Sequence, residues 1–137
     1  MQNKKLPGVG VAVIIRKNNV LLGKRIGSHG EGTWQFPGGH LEFNEKLEDC
    51  AKREALEETN LKVKEIKFAA ITNDLFKHEN KHYITIFMVA DYNSGKETIM
   101  EPKKCLEWKW FAWNKFPQPI FLPCQNLLKQ NFNPFQT

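Results

Sequence analysis

The chain has 137 residues, with 20 Lys and Arg against 15 Asp and Glu, so its formal charge is mildly basic at +5. This length predicts one ordinary domain over residues 1–137 with a hydrophobic core of its own. No stretch approaches the roughly 20 apolar residues of a membrane span, and the scattered lysines, without an arginine-rich arm, argue against a stable nucleic-acid partner.

The start of the chain and its cysteines indicate a cytoplasmic protein. Basic residues precede Pro7 and Gly8, which interrupt any apolar core of a signal peptide. The odd number of cysteines argues against a disulfide framework, and their spacing is not that of a metal site. We therefore expect reduced, buried thiols at Cys50, Cys105 and Cys124.

The first third of the chain predicts strands separated by turns. The apolar run 9–15 and the shorter run 20–22 flank the turn residues 18–19, which is typical of a β-hairpin. Residues 26–33 are rich in glycine and predict a loop. Residues 34–36 predict a short strand, which the following proline and glycines end.

Residues 45–60 predict a helix, with Asn44 as its N-cap and acidic residues in its first turns. At about 100° per residue, the apolar residues of this segment fall on one stripe. Three glutamates fall on that same stripe. The stripe consists of Leu47, Cys50, Ala51, Leu61, Glu54, Glu57 and Glu58.

The rest of the chain predicts further strands and a closing helix. Residues 63–72 and 83–92 are rich in β-formers, and residues 93–96 form a turn signal. Residues 107–111 alternate large apolar and charged side chains, which predicts a last strand. Residues 119–129 predict a terminal helix. These elements together indicate an α/β domain with a mixed sheet.

The glutamates of the predicted helix point to a metal site. Glu54 and Glu58 are spaced i,i+4, so their side chains can converge on one point in front of the helix. Crowded carboxylates in a poorly solvated place raise one another's pKa or require a cation. Hard oxygen ligands suit Mg²⁺ or Mn²⁺ better than Zn²⁺. The alternative is a solvent-exposed helix with many charged side chains, since most glutamate-rich segments are of this kind.

The same spacing resembles a family signature, the Nudix box G-x5-E-x7-R-E-U-x-E-E-x-G-U, in which U is an apolar residue. The chain is thereby identified as similar to small Nudix hydrolases of the MutT-like kind. The box covers residues 39–61, and Asn60 replaces its last glycine. Asn tolerates the left-handed conformation of a helix C-terminus next best after glycine. The matching residues are Gly39, Glu45, Arg53, Glu54, Ala55, Glu57, Glu58 and Leu61.

Two further segments narrow the resemblance. They are similar to the subgroup containing the vertebrate diphosphatase of thiopurine nucleotides. The first segment is 37–43, and the second runs from Glu101-Pro102 to residues 108–110. The resemblance implies a Nudix α/β/α sandwich with a mixed sheet, the box helix and a C-terminal helix. It also implies one Nudix hydrolase domain over residues 1–137.

The resemblance implies a metal site and a catalytic set for this chain. The carbonyl oxygen of Gly38, Glu54 and Glu58 are the expected inner ligands of Mg²⁺ or Mn²⁺, and Glu57 is a further ligand or the base that activates water. Arg53 is expected to form a bidentate pair with Glu45 that orients the box, in preference to a direct contact with substrate.

The substrate contacts are expected outside the box helix. Arg25 matches a position that contacts phosphate in similar enzymes, and His40 is a candidate hydrogen-bond partner of the nucleotide. An ordinary structural interpretation is also open for these residues. Arg25 would be an isolated surface charge and His40 a cap of nearby backbone. Tyr83 and Thr85 would pack in the sheet, and Phe121 would belong to the core. The expected substrate-binding residues are Arg25, Gly39, His40, Asn73, Tyr83, Thr85 and Phe121.

One feature of the resemblance is missing. Family members often have a fourth acid directly after the residue that matches Cys105, and here Leu106 stands there. Glu107 follows, but in a regular strand it faces the other side. The number of metal ions and the identity of the general base therefore stay open.

The predicted function is hydrolysis of nucleoside triphosphates, including modified ones, to a monophosphate and pyrophosphate. The alternatives are hydrolysis of other diphosphate-linked compounds (ADP-ribose, a sugar nucleotide, an RNA 5′ end) and a binding module without catalysis. The second would have lost box glutamates, and this chain keeps them all. Close relatives imply a homodimer, to which Leu56 would contribute unless it packs under a loop of its own chain.

Overall fold

A computed structural model of the protein describes residues 5–27 and 29–136. The predictions that involve residues 1–4, and Ser28 in the predicted loop 26–33, lie outside the described residues. Neither helix of the described part is long and apolar enough to cross a membrane. The elements of this part are β1 (Gly8–Lys17), β2 (Asn19–Arg25), β3 (Trp34–Gln35), β4 (Gly38–His40), α1 (Leu47–Thr59), β5 (Lys62–Phe76), β6 (Lys81–Ser94), β7 (Cys105–Phe111) and α2 (Leu122–Leu128).

The strands form one mixed sheet. Its main path is β3-β2-β1-β6-β5, with β4 paired to β1 and β7 paired to β2. β1 and β6 are parallel, with Val11 opposite Ile86, and β1 and β2 are antiparallel, with Arg16 opposite Val20. Asn18 supplies the left-handed residue of the turn between them. The predicted hairpin and the predicted mixed sheet are confirmed.

Both faces of the sheet are buried. Alternate residues of β1 point to opposite faces, so Val13 packs beneath α1 with Ala51, whereas Ile14 packs beneath α2 with Leu127. A strand buried on both faces needs apolar side chains at nearly every position, which explains the continuous apolar run of β1. The helix–sheet–helix layering confirms the predicted α/β/α sandwich.

α1 begins later than predicted. Its N-cap is Lys46, which has no capping side-chain hydrogen bond, and Asn44 instead adopts a left-handed conformation in a turn ahead of the helix. The Glu45 N–H donates to the Glu42 carbonyl within this turn (3.1 Å). The prediction that Asn44 caps the helix is therefore wrong, because the turn places Glu45 before the helix. The helix ends as predicted, with Asn60 left-handed at φ 66°.

α2 is shorter than the predicted segment 119–129. Pro119 and Phe121 lie outside the helix, beside Trp34. The Trp34 N–H donates to the Pro119 carbonyl, and the Phe121 N–H donates to the Trp34 carbonyl, both at 3.0 Å. These bonds hold residues before Leu122 out of the helix. They also fix the backbone of Phe121 beside the sheet, at the edge of the site described next.

Candidate active site

α1 presents two of its glutamates to the interior. Glu54 is 7% exposed and Ala55 beside it is fully buried, and Glu58 follows Glu54 by one helical turn. Glu57 has a side chain that is 55% exposed, so the prediction that three glutamates share the buried face is wrong for this residue. Glu57 follows Glu54 by three positions, or about 300° around the helix axis. It therefore lies on the side of Glu54 that is opposite to the buried Ala55.

Arg53 ties the helix to the turn that precedes it. Its Nε donates to Glu45 Oε2 at 2.7 Å and its Nη2 donates to Glu45 Oε1 at 2.9 Å, so the two side chains form the expected bidentate pair. Its Nη1 donates to Glu54 Oε1 at 2.9 Å and to Glu57 Oε2 at 3.3 Å. Its Nη2 also donates to the His40 carbonyl at 3.2 Å. The hydrogen bond from Arg53 lowers the pKa of Glu45 to about 2. Arg53 therefore fixes the position of one Glu54 oxygen relative to Glu45, in the turn that precedes the helix.

Gly38 and Gly39 let β4 lie between β1 and the buried carboxylates. The Gly38 N–H donates to Glu58 Oε1 at 2.7 Å. A β-carbon on Gly39 would overlap the Glu54 carboxylate, and one on Gly38 would overlap the Val11 carbonyl oxygen. Side chains at these two positions are therefore excluded by contact, and the glycines bring strand backbone against both glutamates.

The carboxylates of Glu54, which is buried, and of Glu58, which is partly buried, resist ionisation. Burial raises the pKa of Glu58 to about 8, against the opposing effect of the Gly38 hydrogen bond, and the negative charge of Glu54 adds to the rise. Burial also raises the pKa of Glu54, although Arg53 opposes it. A divalent cation placed between them would remove this penalty, because it favours the charged form of each carboxylate.

Glu101 lies near the same carboxylates. Its negative charge is among the causes that raise the pKa of both Glu54 and Glu58. The sequence-based search for a further acid considered only the neighbours of Cys105, where Leu106 is half exposed and Glu107 forms an ion pair with Lys109 (3.3 Å). Glu101 is thus an acidic residue of the site that this search missed.

The residues present fit a hard divalent cation. Glu54 and Glu58 supply carboxylate oxygens, which Mg²⁺ and Mn²⁺ prefer. Burial raises the pKa of both, and a bound cation would offset this effect. Within residues 5–27 and 29–136, no three His, Cys, Asp or Glu side chains are already gathered as metal ligands. Arg53 donates a hydrogen bond to one carboxylate oxygen of Glu54, and the Gly38 N–H donates to one carboxylate oxygen of Glu58.

Gly38 and Gly39 also line a cavity. Six of the seven residues predicted to bind substrate line it, and they come from β2, β4, β6 and the segment before α2. Phe76 and His29 also line it, and neither was predicted. The predicted residues that line the cavity are Arg25, Gly39, His40, Tyr83, Thr85 and Phe121.

Arg25 is held in the cavity wall by three contacts. Its guanidinium lies 4.1 Å from the centre of the Phe121 ring, its Nη1 donates to Gln35 Oε1 at 2.6 Å, and its Nε donates to the His29 carbonyl at 3.0 Å. Burial lowers the pKa of Arg25, and the negative charge of Glu58 opposes this change. Arg25 therefore brings a positive charge to the same space as the carboxylates.

Aromatic rings surround the remaining space. The His29 and Tyr83 rings are nearly parallel, at 9°, with centres 6.2 Å apart, and the Phe76 and Phe121 rings lie 5.5 Å apart. Rings of this kind favour a planar, apolar-faced ligand such as a nucleobase.

Thr85 has a defined hydrogen-bond direction. Its hydroxyl donates to Asp74 Oδ2 at 2.5 Å, and the Thr72 hydroxyl donates to the same oxygen at 3.1 Å. The Asn126 amide donates to Asp74 Oδ1 at 2.9 Å, and Asp74 is fully buried. Because the Thr85 proton is held by Asp74, its oxygen can only accept a hydrogen bond from a ligand.

Asn73 does not line the cavity. It is exposed on β5, and its Oδ1 pairs with His82 Nε2 at 2.6 Å. Side chains alternate along a strand, so Asp74 points inward where Asn73 points outward. The structure thus places Asn73 outside the cavity, and a contact between Asn73 and substrate stays a prediction. An acid flanked by exposed residues in a β-rich segment was the signal for Asp74, and the sequence analysis did not use it.

The family model of the NUDIX domain matches residues 4–130, nearly the whole chain. The chain belongs to the Nudix family. Nudix hydrolases typically use divalent metal ions such as Mg²⁺ or Mn²⁺, in agreement with the fit of Glu54 and Glu58.

Curated relatives of this Nudix chain include the NAD-capped RNA hydrolases NudC of two Salmonella strains. The protein of Salmonella heidelberg (strain SL476) is 31% identical over 107 residues, and that of Salmonella agona (strain SL483) is 32% identical over the same length. Each match covers 78% of this chain and 39% of the relative. The chain thus spans about two fifths of the length of these relatives.

Solved Nudix structures share the fold. A MutT NUDIX hydrolase from Burkholderia pseudomallei superposes with a TM-score of 0.85 at 27% identity, covering 92% of this chain and 98% of that one. The NUDIX domain of NrtR from Shewanella oneidensis, solved with ADP ribose, gives 0.74 at 19% identity, covering 93% and 88%. The second likeness concerns the fold alone.

Proposed function

We propose that this Nudix chain hydrolyses nucleoside triphosphates to nucleoside monophosphate and pyrophosphate, with Mg²⁺ or Mn²⁺ as cofactor. One observation carries the proposal: Gly38 and Gly39 both line the aromatic cavity and contact the buried carboxylates of Glu58 and Glu54. A nucleotide with its base in the cavity would have its phosphate chain beside those carboxylates. Base-modified triphosphates are included as substrates, which would make nucleotide-pool sanitation the cellular task.

The proposed metal ligands are Glu54, Glu58 and the Gly38 carbonyl, with Glu57 as a further ligand or as the base. A cation held by these residues would supply charge neutralisation for the leaving pyrophosphate and would make an attacking water a better nucleophile. The Arg53–Glu45 pair orients Glu54, since Arg53 bonds both side chains. The exposed position of Glu57 leaves its carboxylate accessible to water and to substrate phosphate.

The remaining cavity residues would hold the nucleotide. Arg25 supplies the positive charge for the phosphate chain, and it lies close enough to Glu58 for the two charges to interact. Tyr83, His40 and Phe121 supply rings for the base. Thr85 accepts a hydrogen bond, so it favours a base that presents an N–H group at that point.

Product analysis tests the proposal. The purified protein with Mg²⁺ and a panel of nucleoside triphosphates should release pyrophosphate and a monophosphate, and no orthophosphate. In ¹⁸O-labelled water, the product that carries the label identifies the phosphorus that was attacked. Release of orthophosphate with a diphosphate as the other product would contradict the proposal.

A second candidate is the hydrolysis of other diphosphate-linked compounds. Its support comes from relatives named NAD-capped RNA hydrolases. A binding module without catalysis has less support, because all the box glutamates are present.

The proposed partners are the nucleotide substrate and a second copy of the chain. Leu56 is 43% exposed on the outer side of α1, so it is not packed under a loop, which was the other interpretation. It is the residue through which a homodimer contact would be tested, with Leu56→Glu expected to shift the mass measured by light scattering if such a dimer forms.

A further inference from the structure

Asp74 is a buried carboxylate to which the proposed hydrolysis gives no role. It lies on β5, is fully buried and does not line the cavity. Its oxygens accept hydrogen bonds from the hydroxyls of Thr72 on β5 and Thr85 on β6, and from the side-chain amide of Asn126 on α2. A buried carboxylate destabilises the fold unless donors surround it. The three donors offset this cost and tie the sheet to α2.

Thr85 is the member of this network that reaches the cavity. It lines the cavity, whereas Thr72, Asp74 and Asn126 do not. Its neighbour on β1 is Gly10, which lines the cavity too and has no side chain that could cover the hydroxyl. Asp74 can therefore act on a bound ligand only through Thr85.

The network fixes the direction of the Thr85 hydroxyl. A free hydroxyl has one proton and can turn to donate or to accept, but Thr85 donates its proton to Asp74 Oδ2 at 2.5 Å. Asp74 is held in turn, because Thr72 donates to the same oxygen at 3.1 Å and Asn126 donates to the other at 2.9 Å. Only the lone pairs of the Thr85 oxygen remain for a ligand.

A fixed acceptor distinguishes nucleobases of the same shape. Where adenine has an amino group and an unprotonated ring nitrogen, hypoxanthine has an oxo group and a ring N–H, and cytosine and uracil differ in the same way. Whichever atom of this edge faces Thr85, one member of each pair presents an N–H and the other presents an acceptor. Two acceptors placed together leave both without a hydrogen bond, which disfavours binding.

We propose that Asp74 is a positioning residue that selects the nucleobase. By holding the Thr85 proton it keeps Thr85 an acceptor, so the cavity binds bases that present an N–H to Thr85 and rejects bases that present an acceptor there. This inference rests on the proposed function, because it takes the ligand of the cavity to be a nucleotide. Asp74 acts on base selection, whereas the chemical step is assigned to the glutamates of α1.

Binding of the monophosphate products tests this selection without turnover. Calorimetry in EDTA gives the dissociation constants of AMP, IMP, CMP and UMP, which have no phosphoanhydride bond to cleave. Within at least one pair, AMP with IMP or CMP with UMP, the two dissociation constants should differ at least about tenfold. The direction of the preference identifies the base atom that faces Thr85.

Two single variants separate base selection from a structural role. Asp74→Ala releases the Thr85 proton, and Thr85→Val removes the hydroxyl, so each should bring the ratio of dissociation constants to within about twofold of one. Thr72→Val is the matched control, because it also removes a hydroxyl that bonds Asp74 but lies outside the cavity. It should lower the melting temperature and keep the parental ratio.

An exchange variant tests the direction of the hydrogen bond itself. In Asp74→Asn with Asn126→Asp, the carboxylate at position 126 can only accept, so the amide N–H at position 74 turns towards it. The carbonyl oxygen of that amide then faces Thr72 and Thr85 and accepts their protons, as the Asp74 oxygen does. This double variant should keep the parental ratio although Asp74 is absent.

The outcomes are distinct from those of the proposed function. Ratios near one in both pairs, no measurable binding of any monophosphate, or equal losses of the ratio in Asp74→Ala and Thr72→Val would overturn the role of Asp74. If Asp74→Ala does not fold, an unchanged ratio in Thr85→Val or a lost ratio in the exchange variant would overturn it equally. Hydrolysis of nucleoside triphosphates with Mg²⁺ is measured separately. Its absence would refute the proposed function and leave the binding ratios unaffected.

Discussion

The backbone of Gly39 lies directly against the carboxylate of Glu54, so that a β-carbon on residue 39 would overlap both carboxylate oxygens. Glu54 cannot simply move away, because Arg53 bonds its Oε1 and the residue is buried. The position of one box glutamate therefore depends on the absence of a side chain on the neighbouring strand.

Gly39→Ala should lower kcat at least about a hundredfold, since it displaces a group that carries a major electrostatic contribution. Gly10→Ala is the control on the paired strand, because a β-carbon there lies 3.9 Å from its nearest neighbour, the Gly39 carbonyl oxygen. Gly10 lines the cavity, so this control is expected to change KM and not kcat. Steady-state kinetics and thermal melts of both variants check the prediction. Similar kcat values for the two variants would show that the contact between Gly39 and Glu54 has no effect on catalysis.

Glu58→Gln should make the metal-free protein more stable at high pH. Burial raises the pKa of Glu58 from 4.5 to about 8, so the folded state prefers the protonated carboxyl. Its contribution to stability is fully present below pH 4.5 and is lost as the pH rises towards 8. Gln keeps the hydrogen bond from the Gly38 N–H but cannot ionise, so the variant lacks this loss.

Urea unfolding in EDTA at pH 5 and pH 8 measures this effect. The free energy of unfolding of Glu58→Gln, relative to the parental protein, should increase between the two pH values. Glu48→Gln, a change at an exposed position of α1, should show no such increase. A difference that stays constant with pH would contradict the raised pKa of Glu58.

Glu58→Gln should also lower kcat at least about a hundredfold, because the neutral amide loses most of the attraction for a cation. The loss should persist at saturating Mg²⁺ and saturating nucleotide. Hydrolysis near the parental rate would refute the assignment of Glu58 as a metal ligand.

Arg53 and Glu45 should act on catalysis as one unit. Arg53→Lys cannot reproduce the two parallel hydrogen bonds, and Glu45→Gln removes the charge that Arg53 pairs with. Each change should lower kcat about tenfold or more, and the double variant should be little worse than either, as expected for coupled residues. The pair of Arg16 and Asp91, with contacts of 2.8 and 2.9 Å, is the control, and Arg16→Lys should leave kcat near the parental value.

Metal removal should abolish activity. EDTA should stop hydrolysis, and Mg²⁺ or Mn²⁺ should restore it, because charge neutralisation on the leaving pyrophosphate is lost without a cation. Mn²⁺ should raise the melting temperature of the parental protein more than that of Glu58→Gln. Activity that survives thorough chelation would contradict the carboxylate site.

The sequence predicted the parts of the molecule that local chemistry determines. The spacing of the box predicted that Glu54 and Glu58 lie one helical turn apart on the inner side of α1. In the structure Glu54 is buried and Glu58 is partly buried. The capacity of Asn60 for a left-handed conformation predicted the end of α1 correctly. The apolar run of β1 predicted a buried strand, because a strand covered on both faces has few polar positions.

The rest depended on geometry that the sequence does not specify. A helical periodicity defines a stripe but not its width, so the exposure of Glu57 was missed. The left-handed Asn44 separates Glu45 from α1. Asn suits both a helix N-cap and a left-handed turn, so its residue type does not decide between them. The side of β5 on which Asn73 and Asp74 point depends on the pairing of β5 with β6, a contact between distant parts of the chain.

Substrate preference distinguishes the proposed hydrolysis of nucleoside triphosphates from the second candidate function. The measurement is kcat/KM for a set of nucleoside triphosphates, ADP-ribose and a sugar nucleotide, with the parental protein in Mg²⁺ and Glu58→Gln as the blank. We expect the highest value for a nucleoside triphosphate, cleaved to monophosphate and intact pyrophosphate, and a low value for ADP-ribose. If ADP-ribose or the sugar nucleotide has the highest kcat/KM, the proposed function is wrong, and the second candidate takes its place.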